Sequence, residues 1–399
     1  MPRVSVIVPI YNGVQHLAAF FESLAAALPH NAEVIVIDDA STEPVLAAVP
    51  EIPKAEAVIC LRNETNLGNA GAVNEALSIA TGDILIQLNS DLVLDEACIS
   101  AMITTIEENR DDVGIVGAKL VYPTTGRCQS VGMAFGLHSK RHVFRHMPAG
   151  HPLCCQTRDV QIVTGATAAM TRRVLELLGP LDHELFNHNL DLDHCLRAVE
   201  HGLRNIMCAD AVAYHWRNRS GVIRYARVEA AEAAFWSKWS KRYRVDLADF
   251  LRQAIDHIIS VDPRLQSIPF VIIDLSRGAN QAIVVRCLAE YWEDIAARMH
   301  SFRQMSNDSD RLWLPLLLPN WLSHAPTPFI YLVDSHLELE ENEMWFARRR
   351  NIVTDELIID LSASALMTSD LFPQRPMRHG GEPVAGCVSV EDVVDTAGP

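Results

Sequence analysis

The chain has 399 residues, of which 49% are hydrophobic and 21% are charged, as in a globular protein with a large core. This length favours two domains over one. The formal net charge of −16 argues against nucleic acid as a partner, because that partner needs a broad basic face, but it is compatible with a nucleotide ligand.

The first part of the chain alternates between strand-like and helix-like segments. Apolar runs rich in β-branched residues predict strands at 4–10, 33–39, 57–63, 83–89 and 113–121. Helical spacing of apolar residues predicts helices at 15–28, 69–80 and about 96–109. This order predicts an α/β fold with a mostly parallel central sheet.

The following segments complete a first domain over residues 1–245. We expect a strand, a turn and two helices within 160–203, then a strand from 205 that ends at His215, and a helix from about Val228. Apolar runs at 269–275, 328–334 and 356–362 predict a smaller α/β domain over 246–371, and the aperiodic residues 372–399 indicate a loosely ordered tail.

Polar residues follow four of the predicted strands. These clusters are Tyr11-Asn12, Asp38-Asp39, residues 63–66 and residues 89–91. In open α/β sheets the ligand crevice lies at the carboxyl ends of the strands. The four clusters therefore predict one ligand site.

Seven segments in order resemble the family 2 glycosyltransferases of the GT-A fold, and most closely the bacterial rhamnosyltransferase-like enzymes of polysaccharide biosynthesis. They are VSVIVPIYNG, VIVIDDAST, NLGNAGAVNEAL, LNSD, VTGATAAMTRRVLELLGPLDHELF, LDLDHCLR and AVAYHWRN. The resemblance covers residues 1 to about 240. It implies an inverting transfer of a sugar from a UDP-, dTDP- or GDP-linked donor to a hydroxyl of a glycan or lipid-linked glycan.

The resemblance also implies a divalent metal, Mn²⁺ or Mg²⁺. Asn89-Ser90-Asp91 falls where the family has its Asp-x-Asp motif, so Asp91 and Asn89 become expected metal ligands together with His215. A metal held there would neutralise the leaving diphosphate. The alternatives are an Asx turn at residues 89–91 and a structural role for the histidine.

The donor nucleotide is expected to contact residues from the first four strand ends and the following helix: Pro9, Tyr11, Asp38, Asp39, Asn66, Gly68, Asn74 and Ser90. By resemblance, Asp39 accepts from the nucleobase imide and Asp38 lies near the ribose. Two alternatives stay open: Asp39 could cap the next helix, and Asn74 could be a polar contact between helix and sheet.

Asp191 matches the family's general base, in a segment where Leu190 replaces the usual glutamate. Asp191 could instead cap the helix that follows it. The resemblance places Gly165, Asp193 and Trp216 on the acceptor side.

Two other classes of function compete with a glycosyltransferase. The first alternative is a non-catalytic module that binds a sugar nucleotide or a glycan, which the departures from the family motif at Asn89 and Leu190 make plausible. A sugar nucleotidyltransferase is less expected, because its glycine-rich basic signature is missing after the first strand.

The remaining features concern the cellular location of the protein, its contact with membranes and its oligomeric state. Nine cysteines without a CxxC pair, and a start without a signal peptide, predict a cytoplasmic protein. The apolar segment 311–324 is short and contains two prolines, so we expect at most peripheral membrane contact. The C-terminal domain that contains it is the candidate surface for a homo-oligomer.

Overall fold

The computed structural model describes residues 2–135, 140–145, 149–216, 227–240, 242–246, 249–250 and 253, and five strands nearer the C-terminus. The chain divides into two compact units. The first comprises Met1–Ala134 and Ala149–Arg244, and the second comprises Phe135–Pro148 and Val245–Pro399.

The predicted strands and helices up to residue 240 occur in the expected order, and five further short strands, at 92–94, 128–130, 133–135, 140–142 and 167–171, were not predicted. The strands are β1 (Val4–Ile10), β2 (Ala32–Asp38), β3 (Ala55–Arg62), β4 (Ile84–Leu88), β5 (Leu92–Leu94), β6 (Val113–Val121), β7 (Cys128–Ser130), β8 (Met133–Phe135), β9 (Lys140–His142), β10 (Arg158–Val160), β11 (Thr167–Thr171) and β12 (Arg204–His215). The helices are α1 (Val14–Ala27), α2 (Gly68–Ile79), α3 (Cys98–Glu108), α4 (Arg172–Leu178), α5 (Leu190–Glu200) and α6 (Val228–Trp239).

The main sheet is mixed, with most of its strands parallel. Its order is β10-β12-β6-β11-β4-β1-β2-β3, with β5 beside β12 and β7 beside β6. Strands β1 to β4 are mutually parallel, and β6 and β12 point the same way, because β11 is antiparallel to both β4 and β6. The expected α/β fold class is confirmed, and β2 and β6 are buried along their whole length, as apolar runs in a covered sheet should be.

Strand β11 begins at the carboxyl ends of the parallel strands and runs in the opposite direction to them. Thr167, its first residue, pairs with Leu88 at the end of β4, and Thr171 pairs with Ile84 at the start of β4. The turn at residues 164–166 therefore lies at the carboxyl ends of the parallel strands. A sequence pattern cannot give this direction, because strand polarity depends on which neighbours the strand joins.

The helices cover the sheet with the faces that the apolar spacing indicated. Helix α1 buries Leu17, Phe20, Phe21 and Leu24 in a core shared with β1 and β2. Burying a side chain of this size contributes about 1.5–3 kcal/mol.

The second unit contains a five-stranded sheet in the order β14-β13-β15-β16-β17. Its strands are β13 (Val271–Asp274), β14 (Met299–Ser301), β15 (Phe329–Val333), β16 (Leu357–Asp360) and β17 (Ala365–Thr368). All neighbours are parallel except β16 and β17. Three strands were predicted, whereas β14 and β17 are short and were not.

Two sequence-based expectations lie outside the described residues: the apolar segment 311–324 and the tail 372–399. In the part of the chain that the structure describes, no helix has the length and apolar character needed to cross a membrane.

Gly82 precedes β4 and lies directly against β1. Its N–H donates to the Ser5 hydroxyl at 2.8 Å, and an added Cβ would lie 2.5 Å from the Ser5 backbone nitrogen. A side chain there would push β4 away from β1.

We predict that Gly82→Ala lowers the free energy of unfolding by about 1–3 kcal/mol, the usual cost of overpacking. Gly150→Ala is the control, because nothing lies within 4 Å of the added Cβ there. Urea denaturation measures both, and equal stabilities would contradict the close approach of β4 to β1.

Candidate active site

Asp39, at the end of β2, is held by hydrogen bonds of both its main chain and its side chain. Its N–H donates to Ile10 O at 2.8 Å, and its Oδ1 accepts from Asn63 Nδ2 at 2.9 Å and from the Leu67 N–H at 2.8 Å. Burial raises the pKa of the Asp39 carboxyl, although the Leu67 and Asn63 hydrogen bonds oppose that rise. Both of these hydrogen bonds fall on Oδ1.

Asp38 has a different environment from its neighbour. Its side chain is fully buried, forms an ion pair with Arg62, and accepts from the Ser41 N–H at 2.8 Å. Arg62 also donates to Ser41 O at 2.9 Å. Both oxygens of Asp38 thus have protein partners, which corrects its expected place in the nucleotide site to a structural one.

Three other residues of the expected nucleotide set surround Asp39. Pro9 pairs with Ile37 in the register of β1 and β2, and Tyr11 follows β1 with its side chain partly exposed. Asn66 Nδ2 donates to Asp39 O at 3.1 Å. The structure brings these residues together, and their contact with a nucleobase stays a prediction.

The N–H groups at the start of helix α2 donate to protein groups. The Asn69 N–H donates to Asn187 Oδ1 at 2.7 Å, and the Ala70 N–H donates to Phe186 O at 3.1 Å. Gly68 has a φ of 73°, and a Cβ there would lie 2.5 Å from the Phe186 ring. This glycine gives space to the Phe186 ring, and its contact with a nucleotide stays a prediction.

Asn74 belongs to the same contact between α2 and the later chain. Its Nδ2 donates to Leu181 O at 2.9 Å, and its Oδ1 accepts from the Leu181 N–H at 2.8 Å. The amide is used by this paired contact, so its expected nucleotide role is corrected to a structural one. Through Gly68 and Asn74, helix α2 fixes the segment that leads into α5.

Asp191 lies in the first turn of α5, where its carboxylate faces the turn before β11. Its Oδ2 accepts from the Gly165 N–H at 2.8 Å, and its Oδ1 accepts from the Leu192 N–H at 3.0 Å. Gln87 of β4 donates to Gly165 O at 3.1 Å. The side chain is partly exposed, so the carboxylate is both positioned and accessible.

Asp193 has no exposed surface and does not face the crevice. Its Oδ1 accepts from Trp239 Nε1 at 2.8 Å and lies 2.7 Å from Lys238 Nζ, and its Oδ2 lies 2.9 Å from Arg197. This network ties α5 to α6. The acceptor-side role expected for Asp193 is therefore corrected to a structural one.

The Asn89-Ser90-Asp91 segment is the turn between β4 and β5. Asn89 N–H donates to Ala166 O at 2.9 Å, which joins this turn to the one before β11. Asp91 Oδ1 lies 3.2 Å from His215 Nε2, and the Trp216 N–H donates to Asp91 O at 3.0 Å. The expected metal residues thus share one small region.

Asp91 and His215 fit a divalent metal. Two ligands at right angles, each about 2.1 Å from an ion, are separated by about 3 Å, close to the observed 3.2 Å. Among the described residues there is no group of three or more His, Cys, Asp or Glu side chains that could hold a metal. Further ligands would be water or phosphate oxygens, which hard cations prefer.

Trp216 stacks on His16 of α1, with ring centroids 6.5 Å apart and an interplanar angle of 21°. Together with Gln15, Val93 and Asp91 they line a hollow beside the candidate metal ligands. The structure therefore pairs Trp216 with α1, and its acceptor contact stays a prediction.

Two residues at the site were not assigned from the sequence, Gln87 and Gln129, whereas Asn63 was expected only as a member of the polar cluster 63–66. Gln87 is polar inside the apolar run of β4, and that interruption could have identified it. Gln129 Oε1 lies 2.6 Å from His215 Nδ1. No local pattern marks Gln129, because its partner is far along the chain.

Comparison with known proteins gives the family of this domain. Residues 5–179 match the model of the family described as Glycosyl transferase family 2. Residues 5–179 thus form a domain that matches this family, and the family resemblance seen in the sequence is confirmed for that stretch.

Two relatives show the extent of the similarity. The O-antigen biosynthesis protein RfbC of Myxococcus xanthus is 29% identical over 250 residues, which are 60% of this chain and 19% of that protein. The undecaprenyl-phosphate 4-deoxy-4-formamido-L-arabinose transferase of Serratia proteamaculans (strain 568) is 33% identical over 122 residues, which are 29% of this chain and 37% of that protein. The chain thus spans less than half the length of these relatives.

Among solved structures, the chain is similar to a mannosyltransferase from Pyrobaculum calidifontis in complex with GDP-Man and Mn²⁺. The identity is 20%, the TM-score is 0.47, and the match covers 81% of this chain and 84% of that one. The family assignment rests on the family model and not on this likeness.

We predict that Asp193→Asn lowers the free energy of unfolding by about 3 kcal/mol, because it removes the charge that Arg197 and Lys238 face. Urea denaturation tests it, with the exposed Asp210→Asn as control. Unchanged stability with lost activity would restore the acceptor-side role.

Proposed function

We propose that the first unit is an inverting glycosyltransferase that moves a sugar from a nucleoside-diphosphate donor to a hydroxyl of a glycan or lipid-linked glycan. One observation carries this proposal. The turn before β11 donates from Gly165 to Asp191 and accepts at Ala166 from Asn89, so a candidate base and the candidate metal turn lie at the same strand ends.

The donor nucleotide would lie over the ends of β1 and β2. The second oxygen of the Asp39 carboxylate would accept an N–H of the base, beside Pro9 and Tyr11. Asn66 would line this pocket, and Ser90 would lie near the diphosphate. The hydrogen bonds from Asn63 and Leu67 keep the Asp39 carboxylate in one orientation, which lowers the entropy cost of binding.

Asp191 would act as the general base. Its carboxylate would take the proton of the acceptor hydroxyl while that oxygen attacks the anomeric carbon and the diphosphate leaves from the opposite face. The N–H groups of Gly165 and Leu192 orient the carboxylate without occupying all of its acceptor sites. A general base of this kind contributes roughly 10²–10⁴ in rate.

Asp91 and His215 would hold Mn²⁺ or Mg²⁺, with Asn89 in the same turn. A bound cation neutralises negative charge on a leaving diphosphate. Asn89 brings no charge to that turn, so the site has one carboxylate where the family motif has two. We expect a correspondingly weaker metal affinity.

The names of the relatives support the acceptor class. One is an O-antigen biosynthesis protein and the other an undecaprenyl-phosphate arabinose-derivative transferase. Both names fit a chain that elongates or modifies surface glycans, and a cytoplasmic location is part of this proposal.

The direct test is a donor screen with the purified protein. Release of UDP, dTDP or GDP from their sugar conjugates, with Mn²⁺ and with EDTA, shows whether a transferase is present and which base it uses. Binding of a nucleotide sugar without any release, even with glycan acceptors, would support the non-catalytic alternative.

We predict that Asp191→Asn lowers turnover at least about a hundredfold, because an amide cannot take the acceptor proton. The melting temperature should change little, since the amide oxygen still accepts one main-chain hydrogen bond. The matched control is the exposed Asp111→Asn. Preserved turnover together with a large loss of stability would show that Asp191 is only a helix cap.

We predict that Asp91→Ala abolishes metal-dependent transfer while the fold remains, because the change removes a ligand at a turn and no core contact. Circular dichroism and a Mn²⁺ titration of activity measure the two effects. Asp95→Asn, which changes the next carboxylate along the chain, should behave as the wild type. Near-normal turnover of Asp91→Ala would refute the metal assignment.

A further inference from the structure

Gln129 belongs to a short strand whose register places it in a bulge. Leu120 and Val121 are consecutive in β6, but their partners in β7 are Ser130 and Cys128. Gln129 is therefore the extra residue between two paired ones. Bulges of this kind turn a side chain away from the direction that regular pleating gives it.

The side chain of Gln129 is directed to His215. It is only 3% exposed, and its Oε1 lies 2.6 Å from His215 Nδ1. Its Nε2 donates to the main-chain oxygen of His215 at 3.5 Å. Gln129 thus contacts the same residue twice, once at the ring and once at the backbone.

The second contact decides which way the amide is oriented. A carbonyl oxygen only accepts, so the amide group that faces His215 O must be the NH₂. The amide oxygen then faces Nδ1, and since this oxygen also only accepts, Nδ1 must carry the hydrogen. In a neutral imidazole the lone pair is consequently on Nε2, the nitrogen that faces Asp91 at 3.2 Å.

We propose that Gln129 is a positioning residue that fixes His215 in the tautomer with a hydrogen on Nδ1 and directs the Nε2 lone pair toward Asp91. The relation to a metal rests on the proposed function, whereas the tautomer does not. A lone pair on Nε2 beside a carboxylate oxygen forms two ligands of a divalent cation, and hydrogen bonds behind a histidine ligand typically change metal affinity by about 10–100-fold.

The first experiment measures the tautomer without metal. ¹⁵N NMR of histidine-labelled protein at about pH 8, where an unperturbed imidazole is neutral, distinguishes protonated from unprotonated ring nitrogens. The His215 signals are identified by their loss in His215→Ala. We expect hydrogen on Nδ1 in the wild type and in Gln129→Glu, and a mixture of tautomers in Gln129→Leu. An Nδ1 without hydrogen in the wild type would overturn the proposal.

The second experiment measures Mn²⁺ binding by electron paramagnetic resonance. We expect Gln129→Leu to weaken binding by about 10–100-fold and Gln129→Glu, which keeps an acceptor for Nδ1, to retain it. The matched control is Gln161→Leu, because Gln161 is a buried amide that instead bonds the Arg244 backbone. Gln161→Leu should leave the Mn²⁺ affinity unchanged.

The outcomes separate this proposal from the proposed function. Equal Mn²⁺ affinity in Gln129→Leu and the wild type would overturn the positioning role. If the wild type shows the Nδ1 tautomer but no Mn²⁺ binding, the tautomer assignment stands and metal-assisted transfer fails. Circular dichroism of each variant identifies any loss of affinity that comes from misfolding.

Discussion

The candidate site depends on the turn before β11, where two hydrogen bonds leave in different directions. Gly165 donates to the carboxylate of Asp191, and Ala166 accepts from Asn89. Asp191 and Asn89 are joined to the same turn because β11 is antiparallel to β4 and its first residue pairs with the last residue of β4. A parallel β11 would begin at the amino ends of the other strands, and the turn before it could not join Asp191 to the turn that carries Asp91. Antiparallel insertion is therefore the constraint that creates one site from two distant parts of the chain.

Many polar groups near the strand ends serve the architecture, although they have the chemistry of binding residues. The N–H groups at the start of α2 donate to Phe186 and Asn187, and the Asn74 amide donates to Leu181 O. These contacts set the position of α5, which presents Asp191. Few polar groups at the strand ends therefore remain accessible. The others hold the accessible ones, such as Asp191, in fixed positions.

The sequence predicts the longer strands and the helices of the first unit, because buried strands and amphipathic helices leave local apolar patterns. It does not predict the short strands β5, β7 and β11. It identifies Asp91 and His215 as a pair, and the structure places them 3.2 Å apart. It misassigns Asn74 and Asp193, because their partners are remote in the sequence. A pattern shows that a group can bind, but not whether another part of the protein already occupies it. Gln129 is not predicted for the same reason, because its partner His215 is remote in the sequence.

The strand order also has a consequence for the way the domain is assembled during synthesis. Strands β1 to β4 pair with neighbours that are close in sequence, so this half can form early. His215, at the end of β12, pairs with Leu92 only after all intervening strands exist. The nascent chain thus completes the strand ends around Asp39 first and brings His215 to Asp91 last. A partly synthesised domain therefore lacks the assembled candidate site.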